Sequence, residues 1–159
     1  MMDIRTYRRG EVIFRQGDVG NCMYDIQEGK VGIFHDYKGP DEKQLAELFP
    51  NKIFGEMGLL DSAPRSATAV ALEDSTVLHV IPEDDFYSYF EENPTMVLLL
   101  MQQMCSRLRR TSKDYLEACR AMYETVEAEK SGSEKSKTLK DKILKFCRRY
   151  KDFNYQAHT

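Results

Sequence analysis

No stretch of this 159-residue chain runs to the roughly 18 apolar residues that a membrane-crossing helix needs, so no spanning segment is expected. The start, MMDIRTYRRG, has no apolar core behind its basic residues. It therefore does not read as a secretory signal, and a cytoplasmic location is expected. The four cysteines, Cys22, Cys105, Cys119 and Cys147, form no C-x-x-C pair. That spacing argues against a metal site or a disulfide framework, and each thiol is expected to be reduced and buried as a small hydrophobe. The three histidines, His35, His79 and His158, are scattered, with no nucleophile–base grouping. No catalysis and no metal are expected. His79 reads as an ordinary strand residue.

What is present is a globular composition, 42% apolar and 31% charged. The net charge of −3 is unevenly placed. Residues 130–159 hold nine Lys/Arg against three Asp/Glu, and the rest is correspondingly acidic. An acidic body is a poor non-specific binder of nucleic acid.

From about residue 8 to residue 81 the chain reads as short strands broken by turn residues. VIFR, CMYDIQ, KVGIFHD, KQLAELF, SATAVAL and STVLHVI are rich in β-branched and aromatic residues and bounded by Gly, Asp, Asn or Pro. This pattern predicts a sandwich or barrel. The glycines at 17, 20, 29 and 39 are expected to be turn residues with positive φ. PEDDFYSYFEEN opens a helix that Asn93-Pro94 ends. Residues 95–129 contain no Gly and no Pro. Met101, Cys105, Leu108, Ser112, Tyr115, Cys119, Met122 and Val126 recur at alternating steps of four and three, a heptad seam. A helix of that span is about 50 Å long and needs a second surface to cover its seam. Another copy of the chain is the simplest source, the alternative being the helix lying along its own barrel. After Ser131-Gly132-Ser133, Leu139, Ile143, Phe146 and Tyr150 predict a short basic amphipathic helix.

One stretch carries chemistry. Residues 54–69 read FGEMGLLDSAPRSATA. Gly55 lets the chain turn into a short helical turn, whose first amides suit an anion. Arg65 offers a planar, always-charged fork matched to phosphate oxygens, and Pro64 stiffens its approach. Ser66, Ala67 and Ala69 are small enough for a ligand to lie close. Glu56 would repel a phosphate, so it must face hydroxyl donors such as those of a sugar. Read singly, Glu56 is also an ordinary first-turn acid, and Arg65 a surface cation or its ion-pair partner.

The whole stretch closely resembles the phosphate-binding cassette of cyclic nucleotide-binding domains, in the catabolite activator (cAMP receptor protein) and Fnr-like family. IFRQGDVGNCMYDIQEGKVGIF resembles the family's first strands, and the two helices after Ile81 resemble its hinge and dimerisation helices. The resemblance covers residues from about 5 to 125. It implies a mainly β fold with C-terminal helices. A double-stranded β-helix (jelly roll) with its hinge helix would span 1–94 and a coiled-coil dimerisation helix 95–129, and the charge pattern adds a basic tail at 130–159. It implies a ligand site of Gly55, Glu56, Met57, Arg65, Ser66 and Ala67. Glu56 would accept from the ribose 2′-OH, Arg65 would pair with the cyclic phosphate, and the amides of Arg65 and Ser66 would line the pocket. Thr111-Ser112 stands where the catabolite-activator branch carries a Thr-Ser pair that reads adenine. The implied ligand is cAMP. A hydroxyl directly after the cassette arginine, as at Ser66, is a cGMP-type feature and keeps cGMP as the alternative.

The family's transcription factors add a winged helix-turn-helix after the long helix. About thirty residues with one expected helix follow it here, so specific DNA reading is not expected. The tail could touch phosphates, pack on its own or a partner subunit, or dock another protein. Two functions stand: a cyclic-nucleotide sensor, homodimeric through 95–129, that signals to a protein partner, or a regulator associating with DNA through its tail. A third is a degenerate member that binds another small anion.

Overall fold

The computed structural model describes residues 3–130. The chain divides into two units, Met1–Gln102 and Gln103–Thr159. The basic helix expected beyond Ser131 lies outside the described residues.

The first unit is built on eight strands: β1 (Asp3–Tyr7), β2 (Val12–Phe14), β3 (Cys22–Glu28), β4 (Val31–His35), β5 (Lys43–Leu48), β6 (Ile53–Phe54), β7 (Thr68–Ala71) and β8 (Thr76–Pro82). They form two four-stranded antiparallel sheets, ordered β1-β8-β3-β6 and β2-β7-β4-β5. This is the expected jelly roll. Tyr24, Ile26, Val31, Leu48, Phe54, Ala69, Leu78 and Val80 fill the space between the sheets. Tyr24 and Phe54 stack with ring centroids 5.0 Å apart.

The expected strand runs are all present, and two strands were not anticipated. β1 is mostly exposed and polar, so no apolar run marks it, yet it pairs along β8 from Asp3 opposite Val80 to Tyr7 opposite Thr76. β6 is only two residues long. Gly17 and Gly29 have positive φ as expected, whereas Gly20 and Gly39 do not.

β3 departs from simple alternation, because Met23, Tyr24, Asp25 and Ile26 are all buried. Tyr24 and Ile26 face the sandwich. Met23 instead joins Ile53, Ile81 and Tyr89 in a second cluster, against which Leu59, Phe86, Phe90 and Met96 pack. The sheet is thus covered on both faces, and its second cover is helical. A one-turn helix α1 (Met57–Leu60) supplies Leu59. After a 3-10 turn at Glu83–Asp85, α2 (Phe86–Glu92) supplies its aromatic face. Tyr89 also ties α2 to the sheet by a polar bond, its hydroxyl donating to Asp25 Oδ2 at 2.9 Å. Gln27 Nε2 donates to the same oxygen at 2.8 Å, while Asp25 Oδ1 is buried without a partner. Burial pushes the Asp25 carboxyl up, with the bonds from Tyr89 and Gln27 and the nearby His79 opposing.

α3 runs from Pro94 to Lys130, matching the expected long helix. Its less exposed residues in the second unit are polar or small: Gln103, Arg107, Asp114, Ala118, Ala121 and Thr125. Its apolar ones lie open. Met101, Leu108, Tyr115, Met122 and Val126 are each at least 50% exposed, and Leu98 extends the same stripe one step toward the helix start. Cys105 and Cys119, expected to be buried, are exposed, and Cys22 is half-buried. Among the described residues nothing covers that face of the helix to bury a thiol.

Candidate functional site

The site is assembled from two loops that the fold brings edge to edge. The first joins β2 to β3, residues 15–21. The second runs from the end of β6 to the start of β7, residues 55–67. A pair of backbone bonds clips them together: Arg65 N–H donates to Asp18 O at 2.8 Å, and Gly17 N–H donates to Arg65 O at 2.9 Å. Gln16 N–H adds a third tie, to Thr68 Oγ1 at 3.0 Å.

Each loop is shaped by its own residues. Gly55 leaves β6 with φ +79°, a conformation disfavoured for a side chain, and turns the chain into α1. Glu56 caps α1, and its carbonyl accepts from Leu59 and Leu60 N–H. Asp61 Oδ1 then accepts from Ala63 N–H at 3.1 Å, setting the turn that carries Pro64 and Arg65 inward.

Arg65 is only 5% exposed and Glu56 only 1%. The reading of Arg65 as a surface cation therefore does not hold, while Glu56 does stand at the start of a helical turn. The guanidinium lies over the Phe14 ring, 4.3 Å from its centroid. Nη1 donates to Gly55 O at 2.5 Å and Nη2 to Cys22 O at 2.6 Å. Cys22 Sγ lies 3.7 Å from Nη2, and its thiol reaches the Tyr24 hydroxyl at 3.3 Å. Burial pushes the Tyr24 phenol up, and the bond to Cys22 adds to it. Arg65 Nε is buried and has no partner.

Six of the expected site residues come together here. Gly55 and Arg65 are in direct contact, Glu56 follows Gly55, and Ser66 Oγ meets Met57 Sδ at 3.9 Å. Ala67 is buried beneath the loop, while Met57 and Ser66 are exposed. The Arg65 amide, expected to face a ligand, is instead used by Asp18 O, which leaves Ser66 to supply the backbone donor. Thr111 and Ser112 belong to the second unit, both exposed on α3.

Three residues that shape the site were not expected there from the sequence. Phe14 provides the floor under the guanidinium. Cys22 provides the carbonyl that holds one end of it. Gly20 leaves room for it: a Cβ there would stand 2.6 Å from Arg65 Cζ, and one at Gly55 would stand 2.8 Å from Nη1. Gly20 is therefore glycine for close approach rather than for turn geometry. A glycine two residues before a strand cannot be told from a turn glycine without knowing where Arg65 lands. Among the described residues no cluster of three His, Cys, Asp or Glu could hold a metal.

Chemically, the site presents a fixed cation with one uncompensated donor, beside a buried carboxylate. Leaving a buried donor unmade costs about 1–3 kcal/mol, so an anionic oxygen delivered to Nε would be favoured. The cation is held by carbonyls on both sides and by an aromatic face, so it is oriented before any ligand binds.

The chain as a whole is similar to known proteins. A family model described as "Cyclic nucleotide-binding domain" matches residues 4–93. The Cyclic AMP receptor protein of Thermus thermophilus is 41% identical over 105 residues, covering 66% of this chain and 48% of that one. The chain thus spans about half the length of the curated relatives it matches first. The crystal structure of Thermus thermophilus Catabolite Activator Protein superposes with TM-score 0.62 at 28% identity, covering 94% of this chain and 78% of that one. An EAL enzyme in its cAMP-bound form matches with TM-score 0.51 at 29% identity, covering 79% of this chain and 33% of that one. The same enzyme in a cGMP-bound form gives TM-score 0.51 at 30% identity, covering 82% and 34%.

Proposed function

The chain belongs to the cyclic nucleotide-binding domain family, and from that premise we propose that it is a cAMP sensor, homodimeric through α3, that signals to a protein partner. The observation that carries the ligand assignment is the buried Arg65 with its unpartnered Nε. In this reading the cyclic phosphate pairs with the Arg65 guanidinium and takes the amide and hydroxyl of Ser66. Glu56 accepts from the ribose 2′-OH, and Gly55 and Ala67 allow the sugar-phosphate to lie close to the backbone. Met57, exposed beside Ser66, borders the same opening.

The base would be read from α3, by Thr111 and Ser112, in a dimer whose seam is the exposed apolar stripe of that helix. A stripe of this length left open to water is unusual for a monomer. The residues at 130–159 are then the natural output, close in sequence to the end of a helix that the ligand engages. A ligand that touches the cassette on one side and α3 on the other biases any equilibrium in which those contacts differ.

The EAL enzyme relative has been seen with either cyclic nucleotide, so the test must include both. Calorimetry of the purified chain with cAMP, cGMP and 5′-AMP is expected to show saturable binding of one nucleotide per chain, tightest for cAMP. Tighter binding of cGMP would reassign the ligand. Binding of neither cyclic form above 5′-AMP would remove the sensor reading.

A further inference from the structure

The exposed stripe on α3 contains two thiols, and their places on it are equivalent. Along the four-three spacing, Leu98, Cys105, Ser112, Cys119 and Val126 share one heptad position, and Met101, Leu108, Tyr115 and Met122 share the other. Cys105 and Cys119 are thus two heptads apart, with Ser112 midway. Both are exposed. Tyr115 stands four residues before Cys119, one turn away on the same stripe.

In a parallel two-helix seam each residue of these layers meets its own copy, whereas in an antiparallel one the two heptad positions face each other. Helix axes at about 8–10 Å, with Cα atoms on cylinders of about 2.3 Å radius, bring directly facing Cα atoms to roughly 3.4–5.4 Å, the wider part of which overlaps the disulfide range. A disulfide accepts Cα separations of about 4.4–6.8 Å. We infer that the seam carries an oxidative lock: Cys105 bonded to Cys105 of a second copy, and Cys119 bonded to Cys119 of that copy. The inference rests on the dimer proposed above and adds to it a response to oxidant.

The chemistry is thiol–disulfide exchange. A Cys105 thiolate attacks one sulfur of a small-molecule disulfide and expels one small thiol. The facing Cys105 then displaces the second small thiol and closes the protein disulfide, two protein thiols being oxidised as one small disulfide is reduced. Cys119 reacts likewise. In a reducing compartment both bonds stay open, so the lock responds to oxidant rather than forming part of the resting fold. The two bonds bracket the layer of Ser112 by one heptad on each side, so they would fix the segment proposed to read the base.

The test uses the full chain and variants Cys105→Ser, Cys119→Ser and the double variant. Sedimentation of the reduced protein establishes whether it is a dimer. Each protein is then treated with oxidised glutathione, run on a non-reducing gel and mapped by peptide mass. The expected result is a dimer when reduced, and covalent chains of doubled mass in wild type and in each single variant. The doubled species should contain symmetric 105–105 and 119–119 peptides, revert with dithiothreitol, and lack any such linkage in the double variant. A reduced dimer that never links through these residues overturns the lock and leaves the dimer standing. Linkage in wild type lost in either single variant means Cys105 meets Cys119, which overturns the parallel register. A reduced monomer that does not link removes the proposed dimer and the lock with it.

Discussion

Arg65 is oriented before any ligand arrives, by two carbonyls, an aromatic floor and two glycines that leave it room. Its replacement therefore removes both a charge and a shape. Arg65→Leu is expected to weaken cAMP binding by about 2–5 kcal/mol, because a desolvated phosphate is left unpaired. Glu56→Ala removes one charged hydrogen bond and should cost about 1–3 kcal/mol. Calorimetry of the two variants beside wild type measures both, and wild-type affinity in both would remove the cassette assignment. Asp25 makes a different prediction. Burial holds its carboxyl above the usual 3.8, so the fold favours the protonated form. A raised acid contributes stability that is full below the unfolded value and is lost as pH rises through the folded one. Urea midpoints of wild type should therefore carry a loss from this group on going from about pH 3.8 toward neutrality. Asp25→Asn, neutral throughout, should show a smaller change over the same range. Identical pH profiles for the two proteins would mean that the buried oxygen titrates without cost.

Among the elements, α2 is the one whose attachment mixes apolar and polar contacts. Its aromatic face packs on Met23, Ile53 and Ile81, and Tyr89 adds the bond to Asp25. Tyr89→Phe keeps the ring and loses the hydroxyl, which leaves Asp25 with one donor fewer at a cost of about 1–3 kcal/mol. The expected sign is faster hydrogen exchange in residues 83–93 with the strands of the sandwich unchanged. Exchange raised uniformly across the first unit would instead mean that α2 opens only with the whole fold. The elements also show what was legible. Six strands and both longer helices announce themselves, through β-branched runs, the Pro-and-acid start of α2 and the four-three spacing of α3. β1 does not, since DIRTY is exposed and gains its structure from pairing with β8, more than seventy residues away. The cassette residues were legible as a set, from a motif longer than chance supplies. Phe14, Gly20 and Cys22 were not, because their part in the site exists only where Arg65 comes to rest.

At the scale of the whole molecule, the exposed seam is the surface through which the proposed dimer would form. Leu108→Asp and Met122→Asp would each set two like charges against each other across a two-fold seam. Both variants are expected to sediment as monomers with the sandwich intact by circular dichroism. A double variant that still sediments as a dimer would place the interface elsewhere. The clip between Arg65 and Asp18 has a consequence of another kind, in the order of events during folding. The bonds that place Arg65 join residues 43 apart, at Cys22, and the adjoining tie from Gln16 to Thr68 spans 52. Such long-range closures form late, after the entropy of the intervening chain has been lost. A chain still emerging from synthesis has strands β1 to β6 available before it has the arginine. The pocket is then among the last parts of the barrel to exist, and nucleotide binding becomes a report that the barrel is complete.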